Sequence, residues 1–120
     1  MKYMLLIYNN QADLAGLPAA ELDAFMAEVD VVMAELTESG ELIGGEALAD
    51  PVQTKTVRVR NGVPAVTDGP FIETKEQFAG YLMIETDRPE RAVEIAARWP
   101  DASRWAMEVR PVMAAGGLEM

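Results

Sequence analysis

Residues 2–8 and 78–84 are apolar at nearly every position. Runs without alternation belong to strands buried on both faces. Between them, Leu22, Phe25, Met26, Val29, Val32, Met33 and Leu36 recur at helical spacing, with Glu21, Asp23, Glu28, Asp30 and Glu35 opposite. Pro18 suits the first turn of that helix and Gly40 its C-terminal cap. The apolar stripe is read as core, methionines included, since a single stripe normally faces a core. Residues 9–17 read as a loop.

The strand expected at Leu42–Leu48 carries Gly44-Gly45, which predicts a bulge or a close backbone approach. Thr54–Arg60 alternates, Asn61-Gly62 is a hairpin turn, and Val63–Thr67 returns with Pro64 marking an edge strand. Asp87-Arg88-Pro89-Glu90 predicts a helix start with Asp87 as its cap. Ala92, Val93, Ile95, Ala96 and Trp99 give that helix its apolar side, and Pro100 stops it. Trp105–Arg110 alternates as a last, half-buried strand.

With the hairpin set aside, the order is βαββαβ, so the chain is expected to be α+β, ferredoxin-like, with an inserted β-hairpin. A single domain over 1–113 and a tail over 114–120 follow. The two unalternating runs are the first and third core strands, which this fold places at the centre of the sheet. Its helices cover one face, so the other would leave a large apolar patch bare. A homodimer that buries sheet against sheet is therefore expected.

Charge narrows the function classes. Twenty acidic against ten basic residues leave the 120-residue chain at −10, a field that disfavours nucleic acid and anionic membrane surfaces. Without cysteine or histidine, thiolate chemistry, disulfides and the commonest metal ligand and general base are excluded. No oxygen-ligand spacing indicates a metal, and no cofactor is expected. The N-terminal apolar run is too short to span a bilayer and lacks the marks of a signal peptide, so a cytoplasmic location is expected.

The candidate chemistry lies in Thr67–Glu76. Asp68-Gly69-Pro70 is turn chemistry, and Phe71, Glu73, Lys75 and Glu76 crowd behind it. Asp68 reads either as a cap of its own turn or as a carboxylate at a cleft mouth, its pKa raised by burial beside Phe71. Tyr81 is a core residue or, turned toward a dimer cleft, an acid or orienting donor. Arg58 and Arg60 share a strand face and either bind an anion or guard an edge. Asp68 and Tyr81 are thus the catalytic candidates, and Phe71, Glu73, Lys75 and Arg58 the ligand-binding ones.

With Met1–Tyr8, Thr67-Asp68-Gly69-Pro70-Phe71 and Glu108-Val109-Arg110-Pro111-Val112 in order, the chain resembles the DGPF-domain proteins of the YCII-related family. The resemblance spans about Lys2 to Val112 and implies a dimeric α+β barrel. Family members carry a His–Asp pair proposed as catalytic, and this chain has no histidine to supply it. The resemblance also implies a link to extracytoplasmic-function sigma factors. Two readings stand. One is a small-ligand-binding or regulatory module. The other is a cofactor-independent enzyme using carboxylate or tyrosine acid–base chemistry on a small organic substrate.

Overall fold

The computed structural model describes residues 1–114 and 118–119. Strand β1 (Lys2–Asn9) leads into a short helix α1 (Gln11–Ala15) and the long α2 (Ala19–Ser39). Strand β2 (Leu42–Ala47) follows, then a 3-10 turn at Pro51–Gln53 and the strands β3 (Lys55–Arg60) and β4 (Val63–Asp68). After β5 (Gln77–Glu85) come α3 (Pro89–Arg98), α4 (Asp101–Arg104) and β6 (Ala106–Pro111), and β7 (Met113–Ala114) pairs with β8 (Leu118–Glu119). The main sheet has the order β2-β5-β1-β6, antiparallel throughout. This is the ferredoxin-like α+β arrangement, with the two unalternating strands at its centre.

The pleat sorts the central strands into two faces. Tyr3, Leu5, Leu82 and Ile84 point to one side, where they are buried with Val32 and Leu36 of α2 and Ala92 and Ile95 of α3. Met4, Leu6, Tyr81 and Met83 alternate onto the other side and are half-buried. The molecule measures 49 × 45 × 18 Å, and its thin dimension fits one sheet under one layer of helices about 10 Å across.

Local chemistry explains the element ends. Gly40 closes α2 with a left-handed φ of 79°. The Gly44-Gly45 pair does both things its sequence suggests. The register shifts between Leu42 and Gly44, and a Cβ on Gly45 would sit 2.7 Å from the Tyr81 carbonyl oxygen. Asn61 and Gly62 both have positive φ, as a two-residue hairpin turn of this hand requires. Strands β3 and β4 pair with each other as a separate two-stranded sheet.

Three expectations need correction, and the one for Pro100 holds with an addition. Residues 9–17 contain α1, because the Asn10 side chain accepts from the Asp13 N–H at 2.9 Å and caps a turn of helix. Asp87 does not cap α3. Pro89 occupies the first turn and holds Arg88 extended, so the cap position moves to Arg88, which makes no side-chain cap bond. Pro100 ends α3 but also opens α4 at Asp101. In the expected tail, Ala114 and Leu118–Glu119 take part in a small ladder, and the rest lies outside the described residues. No helix among the described residues is long and apolar enough to cross a membrane.

Candidate functional site

The turn singled out by sequence follows β4 at the open end of the hairpin, away from Asn61-Gly62. Asp68 ends β4 opposite Lys55 and forms an ion pair with it, the two side chains 83% and 64% exposed. The turn's own amide goes elsewhere, Gly69 N–H donating to the Thr54 carbonyl at 2.7 Å. Asp68 is therefore neither buried beside Phe71 nor capping its turn. Phe71 is also exposed, and the Arg58 guanidinium lies 4.7 Å from its ring centroid, a cation–π contact. Glu73 and Lys75 are exposed in the following loop. The Lys75 carbonyl accepts from the Asn10 side chain at 2.9 Å, which ties the loop to α1.

Tyr81 lies on the helix-free face of the main sheet, opposite Leu6 on β1 and Glu46 on β2. It sits in a different sheet from Asp68. The structure thus joins Arg58 to Phe71 but does not assemble the two catalytic candidates. The loop does wall a cavity of about 440 Å³, through Pro70, Ile72, Thr74 and Glu76, with Tyr8 and Phe78 opposite. The Tyr8 and Phe78 rings are 5.8 Å apart. A hydrogen bond to Glu108, with burial, pushes the Tyr8 phenol above its ordinary value.

A larger cavity, about 670 Å³, opens on the helix side. It exists because α2 uses its stripe unequally. Val32 and Leu36 are buried in the core, whereas Met26, Val29 and Met33 border the cavity with Phe25. Strand β2 forms the facing wall from Leu42 to Ala47. The volume is in the range of small-molecule sites, and its lining is mostly apolar, as such sites are.

Two buried polar side chains interrupt that lining. Asn9 is 6% exposed and Asp101 3%, and Asn9 Nδ2 donates to Asp101 Oδ2 at 3.0 Å. Asn9 Oδ1 is buried with no hydrogen-bond partner among the described residues. Burial pushes the Asp101 carboxyl above its ordinary value, against hydrogen bonds from Asn9, its own backbone N–H and the Trp99 indole. No cation pairs with Asp101 among the described residues. A carboxylate so placed can bind a donor or exchange a proton.

Sequence reasoning missed both residues, although one signal was available. Tyr3, Leu5 and Ile7 share the core-facing parity of β1, and Asn9 continues it. Asp101 had no comparable signal, since after Pro100 it reads as a polar loop residue.

Residues 1–115 match the YCII-related domain. An uncharacterized protein of Rhizobium meliloti (strain 1021) is 31% identical over 114 residues, covering 93% of this chain and 92% of the relative. On both grounds, the chain belongs to the YCII-related domain family.

Proposed function

We propose that the protein binds a small, largely apolar molecule in the cavity between α2 and β2. The observation that carries this is the Asn9–Asp101 pair, buried at a mostly apolar cavity with one acceptor left unpaired. A buried polar atom without a partner costs free energy on the order of 1–3 kcal/mol. A ligand that supplies the missing donor recovers that cost. Cavity-lining Trp99 makes the test direct. Apolar small molecules are expected to change indole emission in the native protein and less so in Val29→Phe, whose larger side chain narrows the cavity. Equal responses in both proteins would sink the proposal.

One observation favours a catalytic version of the same site. A carboxyl whose proton affinity is raised by burial is better suited to general acid–base work than a solvated one. In that reading Asp101 carries the proton, in place of Asp68 and Tyr81, and Asn9 orients it.

We also propose a homodimer that covers the helix-free face. Met4, Leu6, Tyr81 and Met83 lie side by side there. Val57, Val59 and Val66 of the hairpin are each about 60% exposed. Light scattering at micromolar concentration is expected to give twice the chain mass. A monomer would remove the proposal.

A further inference from the structure

The walls of the larger cavity hold a selective arrangement of charge. Among the described residues that line it, none is Lys or Arg. The carboxylates are those of Glu46 and Asp101. Glu46 sits opposite Tyr81 on the helix-free parity of β2, so its side chain points away from the cavity. Asp101 is on the cavity side, buried, and without a counter-charge among the described residues. Beside it lies Asn9 Oδ1, an acceptor with no hydrogen-bond partner among the described residues. Of these two neighbouring groups, one therefore lacks a donor and the other a counter-charge.

Anionic molecules find nothing here to pair with, and a carboxylate to repel them. A neutral apolar molecule fills the volume but leaves Asp101 uncompensated. An ammonium group has three donors and one positive charge, enough to serve Asp101 and Asn9 Oδ1 together. Charge-assisted bonds of this kind are the strong ones, and low local dielectric strengthens them further. The remaining surface suits a hydrocarbon body, with Met26 and Met33 able to adapt to its shape and the Phe25 and Trp99 rings available to a cation.

We propose that the ligand of this cavity is an apolar primary amine, bound as its ammonium ion by Asp101 and Asn9. This rests on the cavity being the ligand site, as argued above. It goes further in fixing the charge and donor character of what enters.

Three probes of matched shape separate the two statements: 2-phenylethylammonium, 2-phenylethanol and 3-phenylpropanoate, titrated calorimetrically into the intact protein at pH 7 and moderate salt. The cation is expected to bind at least about tenfold more tightly than the alcohol, with the anion weakest. In Asp101→Asn the cation and the alcohol are expected to converge, the alcohol's affinity being retained. In Val29→Phe binding of all three is expected to weaken.

An alcohol that matches or exceeds the cation in the wild-type protein overturns the amine assignment and leaves the cavity as a site. Failure of all three probes overturns both. Cation binding that is not weakened at all by Val29→Phe reflects the overall charge of −10 and also overturns the assignment. Should Asp101→Asn fold poorly, the wild-type ranking decides alone.

Discussion

Asn9 and Asp101, 92 positions apart in sequence, meet through a 3.0 Å hydrogen bond at the end of β1 and the start of α4. The contact joins the first strand to the turn after α3. It is a polar closure in an otherwise apolar layer, and its energetics differ from those of the core around it.

Burial raises the Asp101 carboxyl above its ordinary value near 3.8, so the folded protein holds that proton more tightly than the unfolded chain. Its contribution to stability is greatest below that value and declines as pH rises toward the folded pKa. Asp101→Asn removes this decline. Its amide can also donate to Asn9 Oδ1. Thermal melts from pH 4 to 7 are expected to show the variant at least as stable as wild type at pH 7, with the gap closing in acid. A gap that widens in acid would show that Asp101 stabilises the fold as an anion.

Removing the other partner has the opposite sign. Asn9→Leu takes a donor from Asp101 and leaves a buried carboxylate less well bonded. A loss of about 1–3 kcal/mol is expected at pH 7 in urea unfolding. Combined with Asp101→Asn, the loss is expected to shrink, since the charge that needed the donor is gone.

Arg91 on α3 holds Glu41 at the entry to β2 through two bonds of 2.9 and 3.0 Å, with both side chains about one-fifth exposed. The Arg91 hydrogen bonds hold the Glu41 carboxyl below its ordinary value near 4.5. The stabilisation is therefore complete above that value and is lost as pH falls through the folded pKa. Arg91→Ala is expected to cost about 1–3 kcal/mol at pH 7 and less near pH 3, as measured by denaturant titration.

Neighbouring glycines on β2 should behave differently. A Cβ on Gly45 meets the Tyr81 carbonyl oxygen at 2.7 Å, whereas one on Gly44 meets nothing within 4 Å. Gly45→Ala is expected to lower stability by about 1–3 kcal/mol through overpacking against backbone, while Gly44→Ala leaves the melting temperature near that of wild type. Equal effects would contradict the described register.

Asp68→Asn is expected to leave melting unchanged, because its ion pair with Lys55 is open to water on both sides. A marked drop in melting temperature would show that Asp68 holds its turn after all.

The fold was legible where hydrophobic period carried it. Unbroken apolar character placed β1 and β5 at the centre of the sheet, and Asn61-Gly62 fixed the hairpin. Local composition misled at Asp87, where Pro89 decided the cap, and at Thr67–Glu76, where dense charge marked a solvated loop. The candidate cavity was hidden for a different reason. Whether an apolar helix residue faces core or void depends on how far the helix diverges from the sheet, and Val29 and Val32 look alike until that separation is known.

The β3–β4 hairpin leaves the main sheet at Leu48 and returns at Gln77, and these two ends are close neighbours. The Leu48 N–H donates to the Ala79 carbonyl at 2.9 Å, and Ala47 pairs with Gly80. In topological terms, everything between them decorates a tight connection joining two adjacent antiparallel strands. Because closure entropy grows only slowly with loop length, this connection can shorten, lengthen or change sequence without altering how the four-stranded sheet is assembled. The hairpin is thus the part of the molecule freest to diverge, and the sheet with its two long helices the part that cannot.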